Sequence, residues 1–191
     1  MQKYIPIHLL NGAQYDELAR GLNEPSIVDN LGSGTRAWSL DRLLELREYS
    51  ARDANVDPFL RKYFYWVIMR DEKTIIGIIG FHPVIDIKIA HDRDDVQIMY
   101  AIFAHERGHG YASTAIRDIM AQWRDPITIM EHARVRLRRA IWAIIRDNNV
   151  ASERALIRSG AFAKHTRGES MQFKRVTYNI YRAYTRIIPS K

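Results

Sequence analysis

Residues 95–122, "DVQIMYAIFAHERGHGYASTAIRDIMAQ", constrain the fold more than any other stretch. An apolar strand-like run leads into a polar stretch punctuated by two glycines. Apolar residues at helical spacing follow, so the segment reads as a strand–loop–helix unit. Two chemistries overlap in the loop. From His105, "HERGH" fits the H-E-x-x-H pattern of a zinc peptidase, with Glu131 at a workable distance for a third ligand. That reading needs a helix to bring His105 and His109 to one face. It would run through Gly108 and Gly110, each costing roughly 1 kcal/mol relative to alanine. From Arg107, "RGHGYA" is a turn whose amides open onto a helix N-terminus, a ready-made anion site. Glycines there let a pyrophosphate approach the backbone. The second reading uses the glycines that the first must tolerate, so no metal is expected.

The charge balance agrees with an anionic ligand. The chain of 191 residues has a formal net charge of +7 and a pI near 9.7, which favours a polyphosphate cofactor, nucleic acid, an anionic membrane or an acidic protein without choosing among them. It contains no cysteine, which excludes disulfides, thiolate zinc sites and a cysteinyl intermediate. The longest apolar run, "TIIGIIGFHPVIDI", is shorter than the ~20 residues of a membrane helix. The N-terminal apolar stretch is too interrupted for a signal peptide. A cytoplasmic protein folding as one domain over 1–191 is expected, with no membrane association.

The remaining pattern is α+β. "YIPIHLL" reads as a first strand and "GAQYDELARGL" as a helix. Residues 23–38 read as a long loop, and "SLDRLLELREYSARDA" as a second helix capped by Ser39 or Asp41. "YFYWVIMR" and "TIIGIIGFHPVI" form a hairpin around "DEK". "RRAIWAIIR" is a further strand. "ASERALIRSG" is a helix closed by Gly160, and the tail carries two last strands.

A second motif narrows the reading. Arg107-x-x-Gly110-x-Ala112 resembles the Arg/Gln-x-x-Gly-x-Gly/Ala loop of the GNAT superfamily of N-acetyltransferases. Some forty residues on, "RDNNVASERALIRSGAF" resembles that superfamily's Asn-x-x-Ser helix start ending in Gly-x-Phe, with Asn149, Ser152, Gly160 and Phe162 matching. "WSLDRLLELRE", "GIIGFHPVI" and "GHGYASTA" are most similar to the branch of ribosomal-protein N-terminal (alanine) acetyltransferases. The resemblance spans nearly the whole chain in the right element order.

It implies a twisted, mixed but mostly antiparallel sheet of about seven strands with about four helices, and an acetyl-CoA cleft between two splayed strands. By the resemblance, the backbone of Ala101, Ile102 and Phe103 pairs with the pantetheine arm. The amides of Arg107, Gly108, His109, Gly110, Tyr111 and Ala112 bind the pyrophosphate. Asn149 and Ser152 contact the cofactor near its thioester, and Asn149 is also expected as a helix N-cap.

The implied reaction is direct attack of an amine on the acetyl-CoA thioester, which needs a proton acceptor and a donor to the departing thiolate. Here the sequence departs from common family residues. Gln97 stands where many relatives have Glu, Met99 where Gly is common, Leu156 where many have a Tyr acid, and Thr114 where Glu is frequent in this branch. Ser152 is the candidate thiolate donor and His82 the candidate proton relay. Tyr100, Tyr178 and Tyr181 read as core or edge-strand aromatics. An α-amine, with pKa ~7.8 against ~10.4 for lysine, loses its proton about 3.5 kcal/mol more easily. A protein N-terminus or small weakly basic amine therefore suits a site without a carboxylate base.

Two other classes stay open. Gln97 and Leu156 fit a catalytically weak acyl-CoA-binding regulatory module. "HARVRLRRAIW", with His132, Arg134, Arg136, Arg138 and Arg139, fits a ribosomal, RNA or other acidic partner. A solvated strand edge is the commoner explanation of such a run, which leaves nucleic acid disfavoured.

Overall fold

The computed structural model describes residues 2–30, 38–56, 62–84, 95–122, 140–164, 171–173 and 176–184. The elements are β1 (Lys3–Pro6), α1 (Gly12–Leu22), α2 (Pro25–Val28), α3 (Leu40–Asp53), β2 (Phe64–Met69) and β3 (Ile75–Pro83). They continue with β4 (Val96–Ile102), α4 (Tyr111–Gln122), β5 (Ala140–Arg146) and α5 (Val150–Ser159). Three last strands follow: β6 (Ala163–Lys164), β7 (Met171–Phe173) and β8 (Val176–Tyr184).

All strands join one sheet in the order β1-β2-β3-β4-β5-β8-β6, with β7 also on β8. Every pairing is antiparallel except the parallel β4–β5 contact. The expected mixed, mostly antiparallel α+β sheet is therefore present. Eight strands stand against about seven expected, and five helices against about four, among the described residues.

Local chemistry explains the helix ends. Asn11 and Gln14 form a reciprocal capping box at α1, satisfying two otherwise orphaned backbone donors. Ser39, not Asp41, caps α3 by accepting from the Arg42 N–H. Gly160 closes α5 at φ 69°, the left-handed position expected of it. In the β2–β3 turn, the Asp71 carboxylate accepts from the Lys73 and Thr74 amides and from the Thr74 hydroxyl. Those bonds hold its pKa down at about 2.

Three expectations are corrected. "YIPIHLL" is a strand only to Pro6 and then makes a 3-10 turn over Ile7–Leu9, which buries Ile7. The loop read over 23–38 contains the one-turn helix α2, started by a proline at its first position, where the missing N–H costs nothing. Residues 31–37 lie outside the described residues. Among the described residues the tail supplies three strands rather than two.

The sheet separates two apolar layers. One face packs Phe81, Val96, Ile98 and Ile102 against Ile116 and Ile119 of α4 and Leu156 of α5. The other packs Val67, Ile78, Ala101 and Phe103 against Leu18 and Leu22 of α1 and Leu43 of α3.

Candidate active site

The parallel pairing of β4 and β5 is short. It joins Val96 to Ile141 and Gln97 to Trp142, with no further pairs among the described residues. Beyond it the strands diverge toward their C-terminal ends, and a cleft of about 1620 Å³ occupies the gap. The loop after β4 and the first turns of α4 and α5 border that cleft.

The loop settles the competition between the two motif readings. Ala104–Glu106 is a 3-10 turn, and α4 begins only at Tyr111. His105 and His109 therefore do not share a helical face. Glu106, which a peptidase would use as a base, is instead bound to Arg70 at 2.6 Å, its side chain 6% exposed against 45% for Arg70. The His109 Nδ1 faces the Glu106 carbonyl at 3.3 Å, and its ring stacks on Tyr111. Glu131 lies outside the described residues.

Gly108 and Gly110 adopt φ 86° and 78°, a region that costs residues with a Cβ roughly 1–2 kcal/mol. The first amides of α4 have no intrahelical carbonyl. The first such bond runs from Thr114 N–H to Gly110 C=O at 3.1 Å. The Arg107 Nε–H donates to the Ile102 carbonyl at 3.1 Å, anchoring the guanidinium at the loop. Donors, helix dipole and a fixed cation thus meet at one end of the cleft.

Strand parity sorts the residues expected along β4. The Phe103 N–H donates to the Ile76 carbonyl at 2.9 Å, and the Ala101 carbonyl lies close against Gly77. Main-chain groups alternate sides along a strand, so those of Ala101 and Phe103 face β3. Those of Ile98, Tyr100 and Ile102 face the gap. The expected backbone edge therefore shifts from Ala101, Ile102 and Phe103 to Tyr100 and Ile102. Phe103 does not line the cleft; its ring is buried where a side chain at Gly21 would collide with it. His109 does not line it either, whereas Arg107, Gly108, Gly110, Tyr111 and Ala112 do.

At the other rim, the Asn149 Oδ1 accepts from the Ser152 N–H at 3.2 Å, making Asn149 the N-cap of α5. Both residues line the cleft. Tyr100 crosses to them, its hydroxyl donating to the Ser152 carbonyl at 2.9 Å. Burial pushes that phenol's pKa above the ordinary tyrosine value. Tyr181 is core, as expected, and its hydroxyl donates to Glu153. Leu156 is fully buried in the α4–α5 layer.

His82 lies on the opposite, α1–α3 face of the sheet. It is paired in register with Gln97, so the imidazole neighbours the position where many relatives place a carboxylate. Its Nδ1 lies 2.9 Å from the Pro83 carbonyl. A carbonyl only accepts, so Nδ1 carries the proton and Nε2 is left as the basic nitrogen. Burial lowers the His82 pKa below the ordinary histidine value, which keeps the ring neutral at pH 7.

Sequence reasoning missed most of this second side. Trp38, with the Arg42 guanidinium 4.2 Å over its ring, lines the cleft, as do Ser26, Arg146 and Tyr178. Tyr100 and Tyr178, read as core or edge aromatics, border it too. These residues come from distant parts of the chain, and no local motif marks them.

A family model described as "Acetyltransferase (GNAT) domain" matches residues 13–161. No curated protein sequence matches the chain. The fold is similar to that of ribosomal-protein-S5-alanine acetyltransferase from Vibrio fischeri, at 17% identity and TM-score 0.60, covering 96% of this chain and 92% of that one. It is also similar to spermidine N-acetyltransferase from Vibrio cholerae, solved with CoA and spermine, at 14% identity, TM-score 0.63 and coverage of 97% and 95%. A third similar structure is an aminoglycoside acetyltransferase with coenzyme A, at 15% identity, TM-score 0.62 and coverage of 97% and 94%.

Proposed function

The chain belongs to the GNAT acetyltransferase family, and from that premise we propose that it is an N-acetyltransferase in which an amine attacks acetyl-CoA directly. One observation carries the reading: β4 and β5 part after two residue pairs, and a glycine-shaped anion site opens at the end of the gap. The solved relatives named above with coenzyme A or CoA in their titles support the choice of donor.

Acetyl-CoA, when bound, supplies an activated acyl group on a thioester. In this proposal the amides at the start of α4 and the Arg107 guanidinium hold the pyrophosphate. The gap-facing main chain of Tyr100 and Ile102 aligns the pantetheine arm. Asn149 and Ser152 sit where the thioester would lie, with the Ser152 hydroxyl the candidate donor to sulfur. His82, neutral and with Nε2 basic, accepts the proton of the attacking amine from the other face. The Gln97 amide cannot take that role. A half-buried imidazole of lowered pKa is a weak base, which favours an α-amine or another weakly basic amine over lysine. The proposal includes a single domain and a cytoplasmic location. The basic run at 132–139 lies outside the described residues, and nucleic-acid or ribosome binding is not part of it.

Free-thiol release from acetyl-CoA with a panel of amines tests the proposal. Amine-dependent release is the expected result. Acetyl-CoA binding without release to any amine would favour the regulatory module, the reading that Gln97 and the buried Leu156 support.

A further inference from the structure

We infer that Glu24 is a positioning residue that sets the acceptor wall of the cleft against the donor site: its main chain begins α2, while its carboxylate holds the turn that leads into the glycine loop. The inference rests on the acetyltransferase reading and goes beyond it, because Glu24 is not among the residues that line the cleft.

The turn Ala104–Glu106 has no cap of its own. Its N-cap residue is Phe103, whose ring cannot accept the bond that a serine or aspartate would. The first amides of such a turn have no partner within it. Here the Ala104 N–H donates to Glu24 Oε2 at 2.6 Å, across 80 positions of sequence. A carboxylate acceptor makes that bond stronger than a neutral one would. Glu24 is itself the N-cap residue of α2, yet its side chain makes no cap bond there. Its carbonyl starts the helix instead, accepting from the Ile27 and Val28 N–H groups at 2.8 and 3.1 Å.

A second contact fixes the same corner. The Phe103 ring, 3% exposed, fills the space beside Gly21, where a Cβ would come within 2.2 Å of it. The Glu24 N–H donates back to the Gly21 carbonyl at 3.3 Å. Phe103 and Ala104, consecutive residues after β4, are thus both seated on the α1–α2 corner. On the far side of the turn, Arg70 binds Glu106 at 2.6 Å. The His105 imidazole lies between, its Nδ1 3.8 Å from Glu24 Oε1 and its Nε2 3.8 Å from Glu106 Oε1. The stretch that imitates a zinc motif is a clasp joining α2, the turn and the β2–β3 turn.

That clasp runs between the two halves of the reaction. Just beyond Ala104, Arg107 begins the anion loop; just beyond Glu24, Ser26 and Ile27 line the acceptor side of the cleft. The Arg107–Ile102 and Glu106–Arg70 bonds hold the loop without Glu24. Of these three bonds, the Glu24 bond is the one that reaches α2. Displacing an amine by about 1 Å from its attack position can cost on the order of 10²-fold in rate. Loss of the Glu24 bond should therefore reduce turnover more than it weakens cofactor binding.

The test separates reach from charge. Glu24→Gln keeps an oxygen at the same reach, Glu24→Asp keeps the charge on a shorter side chain, and Glu24→Ala keeps neither. Amine-dependent thiol release and calorimetric acetyl-CoA titration are measured on the native protein and all three variants, below their unfolding midpoints. The Gln variant should keep kcat within about 3-fold of native, and the Asp and Ala variants should lower it roughly 10-fold or more, while every acetyl-CoA dissociation constant stays within about 3-fold. Native kcat in folded Asp and Ala variants would leave Glu24 a purely structural role and overturn the inference. A Gln variant as poor as Ala would also overturn it, since charge would then matter and not reach. So would an equal loss of acetyl-CoA affinity, since the carboxylate would then serve the loop alone. A native protein that releases no thiol with any amine sinks the acetyltransferase reading, and the inference with it.

Discussion

The two sides of the cleft are built in different ways. The α4–α5 side is local: a strand end, two left-handed glycines, a helix start, and forty residues later an asparagine-capped helix. The α1–α3 side is assembled from Ser26, Trp38, His82, Gln97, Arg146 and Tyr178, contributed by helices, strands and loops far apart in the chain. An invariant ligand group such as a pyrophosphate needs backbone geometry, and backbone geometry leaves marks in short motifs. An acceptor is recognised by side chains that only the sheet brings together.

Breaking each side should therefore give different failures. The largest effect is expected at His82. Its replacement by phenylalanine should lower kcat on the order of 10²-fold or more while acetyl-CoA affinity holds. Burial depresses the His82 pKa, so the acid limb of the native kcat profile should lie below the ordinary value of ~6.5. In the unfolded chain His82 binds its proton at higher pH than in the fold. Its contribution to stability is thus present above ~6.5 and lost as pH falls through the folded pKa. Both signatures should vanish in His82→Phe, which pH–rate and pH–unfolding series would show.

Gly110→Val attacks the other side. A β-branched residue at φ 78° carries strain on the order of 1–3 kcal/mol at the proposed pyrophosphate site. Calorimetric titration should find acetyl-CoA binding weakened by roughly 10-fold or more, with any residual turnover keeping its native pH profile. Loss of the pH profile as well would mean that the two sides are not separable.

Arg70→Met probes the decoy motif. It strips the guanidinium from the buried Glu106 carboxylate. The expected loss is about 1–2 kcal/mol, below the 3–5 of a fully buried pair because Arg70 is half exposed. Denaturant unfolding would measure it, and a chelator should change nothing. Asn149→Ala is the smallest: about 1 kcal/mol for a lost cap, or roughly 2–4 °C in the midpoint. Weakened acetyl-CoA binding in the same variant would sharpen the comparison by giving Asn149 a second role.

The same contrast explains what was legible in the sequence. Periodicity and glycine placement located the hairpin, β4, α4 and α5, because those elements follow local rules. Gly108, Gly110, Gly160 and Asn149 were readable for the same reason. Strand parity was not: that Phe103 turns its amide to Ile76, leaving Tyr100 and Ile102 toward the gap, depends on β3–β4 register. Nor was α2, where one turn of helix depends on the packing of Ile27 beneath it. Trp38 and Tyr178 looked like any core aromatic, since the cleft they border exists only once neighbours are placed.

Thermal unfolding with and without saturating acetyl-CoA tests the central claim most directly. Ligand at ~100 times its dissociation constant adds about 2.7 kcal/mol, which at ~2–4 °C per kcal/mol raises the midpoint by roughly 5–11 °C. A rise of that size, with no change on adding zinc or a chelator, is the predicted result. A midpoint indifferent to acetyl-CoA but lowered by the chelator would contradict the account.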